Sequence, residues 1–113
     1  MSGNGEVATK KIFEDDRVAV WELLLEPGET IDLHTHRNDY VFYVFEGGTI
    51  DAFDAQDHHT ATLELSPGDT VAFRCEGLEL VPVTPGNPAI PATHWARNTG
   101  KTRYREILVE MKS

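Results

Sequence analysis

Turn signals divide this chain too finely for helices to form. The apolar segment 17–26 (RVAVWELLLE) stops at Pro27-Gly28, and the run 40–45 (YVFYVF) ends just before Gly47-Gly48. The strictly alternating stretch 60–65 (TATLEL) stops at Ser66-Pro67-Gly68-Asp69. Segments 70–75 and 104–111 complete the set of clear strands. Proline presets the backbone for the second place of a turn, and glycine supplies the positive φ that other residues avoid. No stretch sustains a helical apolar period between caps. Short β-branched and aromatic segments at roughly 8–12-residue spacing predict an all-β sandwich or barrel. The run 40–45 is apolar at every position, which suits a strand covered on both faces.

A chain of 113 residues predicts one domain over 1–113, with a single modest core. Hydrophobic residues make up 40% and charged residues 26%, which excludes a disordered chain. The net charge of −9 sets ten basic residues against nineteen acidic ones, which disfavours nucleic acid and anionic membranes as partners. No apolar run approaches the roughly 20 residues that span a bilayer. The opening MSGNGEVATKK has no apolar core like that of a signal peptide, and the single cysteine, Cys75, rules out an internal disulfide. Both observations predict a cytoplasmic protein.

The chemistry lies in GETIDLHTHRNDYVFYVFEG, residues 28–47. Residues two apart on a strand share a face, so His34 and His36 project together. Neutral imidazoles on a rigid strand can chelate one transition ion. An exposed His-x-His pair can equally be plain polar surface, and spacing alone leaves both readings open.

The wider spacing resembles the first motif of the cupin superfamily, G-x5-H-x-H-x3-E-x6-G. Gly28, His34, His36 and Gly47 fall in register, with Tyr40 at the glutamate position. His94-Trp-Ala-Arg-Asn98 resembles the second motif, H-x3-N, and Pro67-Gly68-Asp69 resembles the turn ahead of it. The likeness covers about 17–110 and implies a cupin-type jelly-roll barrel of two antiparallel sheets. It also implies a third ligand, His94, which joins His34 and His36 around a divalent transition metal (Fe, Zn, Mn or Ni). Three neutral histidines would leave coordination positions open for water, dioxygen or a chelating substrate.

Two departures from the motif matter. A phenol with a pKa near ~10 is a poor fourth ligand, so Tyr40 is expected to line the pocket as a wall or hydrogen-bond donor. Asp39 has the opposite strand parity and would need a bulge to reach the site. The segment 76–90 (EGLELVPVTPGNPAI) widens the gap between the motifs and is expected to be a lid over the barrel mouth or an added strand at a dimer interface. The histidine pair followed by Asp39-Tyr40-Val41 also resembles small stand-alone cupins assigned to β-alanine breakdown.

Other residues point to structure first. His58 and His59 lie in a polar stretch, DAQDHH, that reads as a solvated hairpin loop, although His59 shares parity with Ala61, Leu63 and Leu65. Cys75 reads as a small buried hydrophobe, Arg97 as facing away from His94, Arg74 as surface, and Asn98 as structural. Trp21 and Trp95 read as packing residues.

Two functions remain open. One is a metal-dependent enzyme, a dioxygenase or an isomerase, acting on a small polar substrate held at the ion. The other is a non-catalytic cupin that binds or senses a small molecule. A homodimer is expected under either, from the apolar run 40–45.

Overall fold

The computed structural model of the protein describes residues 7–112, so the parts of the expectations that concern residues 1–6 and 113 lie outside the described residues. Among the described residues the chain forms eleven strands and no helix, and no helix is therefore long and apolar enough to cross a membrane. The strands are β1 (Lys10–Glu14), β2 (Val18–Leu25), β3 (Thr30–Thr35), β4 (Asp39–Glu46), β5 (Gly48–Phe53) and β6 (His59–Leu65). They continue as β7 (Thr70–Glu76), β8 (Glu79–Pro82), β9 (Ile90–Pro91), β10 (Thr93–Asn98) and β11 (Tyr104–Met111). Every ladder is antiparallel. A seven-stranded sheet runs β1-β2-β11-β4-β7-β8-β9, and a four-stranded sheet runs β3-β10-β5-β6. The expected two-sheet jelly roll is what the chain forms.

The Pro-Gly turns behave as their chemistry requires. The amide of Glu29 donates to the Glu26 carbonyl at 2.9 Å, and that of Asp69 to the Ser66 carbonyl at 3.0 Å. Gly28 and Gly68 hold φ of +87° and +92°, where a Cβ would be strained. Between β4 and β5 the need for glycine is steric instead. A Cβ on Gly47 would collide with the Leu65 carbonyl oxygen and come within 2.9 Å of Pro67 Cδ.

Alternation places the core between the sheets. Ala19, Trp21, Leu23 and Leu25 of β2 and Ala61, Leu63 and Leu65 of β6 are all buried in one core. Burying such a side chain contributes roughly 1.5–3 kcal/mol. Val7 and Ala8 join this core ahead of the 17–110 stretch. Asn98 ties the sheets together at one end. Its fully buried amide donates to the carbonyls of Leu25 and Thr102 at 2.9 and 2.8 Å, and its oxygen accepts the Gly100 amide at 3.0 Å.

One strand departs from expectation. The run 40–45, expected to be covered on both faces, is covered on one. Tyr40, Phe42 and Val44 are buried, whereas Tyr43 and Phe45 are 44% and 47% exposed. β4 lies between β11 and β7, so its inner face meets the barrel while its outer face carries no second layer. There the exposed rings cover each other edge-on at 4.9 Å, and Arg105 lies over Phe45. The segment 76–90 contributes β8, which extends the seven-stranded sheet beyond β7, and then leads into β9. Leu80 and Ile90 of this region are buried, while Leu78 and Val83 face solvent.

Candidate metal centre

Ile31 and His34 both face the interior, although an odd spacing on a regular strand would send them to opposite faces. The ladder explains how. His94 pairs with His34 but Ala96 pairs with Ile31, so β3 carries one residue more than β10 between the two pairs. This bulge at Asp32-Leu33 re-aims His34 inward, and it also turns the Asp32 carbonyl toward the ring. His34 Nδ1–H donates to that carbonyl at 2.7 Å. His94, from β10, donates its Nδ1–H to the Pro91 carbonyl at 2.6 Å. His36 follows β3 and is anchored through its backbone amide, which donates to the Ala92 carbonyl at 2.9 Å.

The three rings meet. Their centroids lie 4.6 to 5.0 Å apart, and one ring nitrogen from each falls within 4.8 Å of the others. All three are at least 94% buried, with exposures of 4%, 3% and 6% for His34, His36 and His94. Because backbone carbonyls take the Nδ1 protons of His34 and His94, their Nε2 atoms present lone pairs to the cluster. Burial lowers the pKa of each histidine. For His36 the neighbouring histidines add to this, and His94 is held at about 4 by burial, then by His34, against the Pro91 hydrogen bond. The rings are therefore neutral at neutral pH, the form that ligates metal.

This donor set fits a divalent transition ion. The Nε2 atoms of His34 and His36 lie 3.2 Å apart. Two nitrogens each ~2.1 Å from a shared ion are separated by about 3.0–3.4 Å at octahedral to tetrahedral angles. The buried Nδ1 of His36 has no hydrogen-bond partner among the described residues, so no carbonyl fixes the tautomer of this third ring.

Tyr40, at the cupin glutamate position, stacks on His36 with centroids 4.6 Å apart and lines the same cavity. Burial, followed by the charges of Glu106, Cys75 and Glu110, pushes its pKa well above that of a free phenol. It remains a protonated phenol, suited to donating a hydrogen bond. Asp39 does not reach the cluster, because its carboxylate accepts the Cys75 amide at 2.8 Å.

The remaining candidates stay outside the site. His58 and His59 are exposed and pair with Asp54 and Asp51. Arg74 and Arg97 are exposed. Cys75 is half-buried, its thiol donates to the His36 carbonyl at 3.3 Å, and burial raises its pKa. Trp21 packs in the core with its Nε1–H on Glu110 at 2.7 Å, and Trp95 stacks on Phe53.

Sequence reasoning missed Glu106. This residue of β11 is 5% exposed and lines the cavity, and Tyr104 donates to its Oε1 at 2.5 Å. Burial raises its pKa to about 7, against the Tyr104 hydrogen bond. In YREILVEM the other parity holds Ile107, Val109 and Met111, so alternation alone assigns the glutamates to the outer face.

No protein-family model matches the chain, and no curated protein matches it. Solved structures do. A cupin domain from Bordetella pertussis Tohama I is 19% identical over 96% of this chain and 100% of that one, with a TM-score of 0.66. A protein with a double-stranded β-helix domain from Klebsiella pneumoniae is 21% identical over 96% of this chain and 78% of that one, with a TM-score of 0.58. A sugar phosphate isomerase of the cupin superfamily from Silicibacter pomeroyi is 22% identical over 86% of this chain and 52% of its own, with a TM-score of 0.51. The fold is thus that of the cupins, two antiparallel sheets in a double-stranded β-helix.

Proposed function

We propose that this is a small metal-binding cupin in which His34, His36 and His94 hold one divalent transition ion (Fe, Zn, Mn or Ni) beside a cavity for a small polar substrate. The observation that carries the reading is the convergence of three buried, neutral imidazoles, two with tautomers set by backbone carbonyls. Held by neutral ligands alone, an ion keeps its positive charge and can polarise an oxygen or thiol ligand. The chain contributes the rest. Mainly apolar walls line a cavity of about 70 Å³, and the Tyr40 hydroxyl, which has no hydrogen-bond partner among the described residues, can orient a bound group.

An enzyme of this kind would be a dioxygenase with iron or an isomerase with another ion. The alternative, a binding or sensing module, shares the site and lacks turnover. The outer face of β4, with Tyr43 and Phe45, is the surface through which we propose a homodimer forms. We take the protein to act in the cytoplasm, without a nucleic-acid partner or a membrane.

Metal content of tag-free protein, measured by mass spectrometry beside a His34→Ala/His36→Ala variant, tests the proposal. Close to one equivalent of ion, lost in the variant, supports it. A metal-repleted protein that binds no ion overturns it. Oxygen uptake with thiols and diketones then separates dioxygenase from isomerase or binding module.

A further inference from the structure

The cavity has two chemically different poles. His34 and His94 project into it from the four-stranded sheet, with His36 following β3. Glu106 projects from β11 in the seven-stranded sheet, where it pairs with Val44 of β4 and Leu23 of β2. The rest of the lining is mainly apolar, with Leu23, Phe42, Ile50, Leu63 and Leu108 among its residues, together with Tyr40.

A carboxyl in such a place is expensive to keep, since burial without a cation penalises its charged form. Among the described residues no Lys, Arg or His pairs with Glu106. Its only hydrogen bond among the described residues is the one from Tyr104 to Oε1, and the second oxygen has no partner among them. Nothing in the packing of β11 calls for this group, because an apolar side chain would fill the same inward position, as Leu108 does one inward position further on. The free oxygen does have a use for a molecule occupying the cavity.

We propose that Glu106 is a second recognition pole, which selects a small bifunctional ligand with a metal-binding head and a hydrogen-bond-donating end group, a hydroxyl or an amine. The proposal rests on the metal-site reading above. Tyr104 holds one oxygen and fixes the rotamer, leaving the other free to accept the ligand's O–H or N–H. A cavity of about 70 Å³ holds roughly five waters' worth of matter, so the ligand has only a handful of non-hydrogen atoms.

The test uses full-length protein loaded with Co(II) and held at pH 8, above the Glu106 pKa of about 7, so that the free oxygen accepts. Its visible absorption is followed during titration with short carboxylates of two to four carbons, each unsubstituted, ω-hydroxylated or ω-aminated. At least one substituted acid should bind about tenfold tighter than its unsubstituted partner, the gain expected from one hydrogen bond to a buried carboxylate. The hydroxyl and amine arms show which donor is preferred. In a Tyr104→Phe/Glu106→Leu variant, which leaves no orphaned phenol, the preference for the substituted acid should vanish. Glu106→Gln keeps an oxygen for Tyr104 and turns the free corner into a donor, so it should weaken or invert the preference without changing the cobalt spectrum. Normal cobalt uptake with no preference in the wild type, or a preference that survives both variants, overturns this inference alone. Failure to take up cobalt overturns the metal reading and this inference with it.

Discussion

Replacing Glu106 by glutamine should make the protein more stable, and increasingly so as the pH rises. In the folded chain burial lifts the Glu106 pKa from 4.5 to about 7. Below the unfolded value both states hold the proton and the carboxyl adds no pH-dependent cost. Between the two values the folded state holds a proton that the unfolded state has released, so stability falls with pH, and the loss levels off above the folded pKa. A shift of this size corresponds to a full penalty of about 3 kcal/mol, most of which accumulates between pH 5 and pH 8. The buried histidines act in the opposite direction. Their folded pKa values are lowered, so their contribution is present above about 6.5 and is lost as the pH falls. Comparing variant with wild type cancels that contribution, because both carry the same histidines. Urea unfolding of chelator-treated protein from pH 5 to pH 9 provides the measurement. The stability gap between Glu106→Gln and wild type should widen by about 2–3 kcal/mol between pH 5 and pH 8 and then stay level. A gap that does not change with pH would refute the reasoning, since Glu106 would then titrate as a solvated carboxyl.

Gly47→Ala should cost about 1–3 kcal/mol in urea unfolding, because the new methyl meets the Leu65 carbonyl and the Pro67 ring with no soft neighbour to yield. Asn98→Ala, which strips three buried hydrogen bonds from the junction of the sheets, should cost about 2–4 kcal/mol in the same assay. Tyr40→Phe removes a hydroxyl with no hydrogen-bond partner among the described residues, so stability should move by less than about 1 kcal/mol. Metal content of that variant should be unchanged, and a loss of metal would make Tyr40 a ligand rather than a pocket wall.

Much of the fold can be read from local rules. Pro27-Gly28 and Pro67-Gly68 end their strands because only glycine takes the positive φ of the turn, and the alternation of 60–65 matches the buried positions of β6. The period of a strand also places His34 and His36 on one face, as found. His94 was reached through its likeness to a motif, since no local rule links residue 94 to residue 34. The run 40–45 shows where such rules stop. Side-chain character told that the strand was apolar, but whether a second layer covers its outer face depends on what the rest of the chain places there.

The chain by itself thus determined five of the eleven strands (β2, β4, β6, β7 and β11), the Pro-Gly turns and the pairing of two histidines, because sterics and side-chain parity act within a few residues. Tertiary structure decided the site. Antiparallel pairing of β3 with β10 brings His94 opposite His34, and the extra residue at Asp32-Leu33 turns that ring inward. The carbonyls that set the tautomers lie only two and three residues before their rings, but the bulge that accompanies the Asp32 contact forms only when β3 pairs with β10. Parity places Tyr104, Glu106, Leu108 and Glu110 on one face, but the more apolar Ile107, Val109 and Met111 point to the other as the inner one, which is not what forms. The placement of β11 between β2 and β4 turned that face, and with it an unpaired carboxyl, into the barrel.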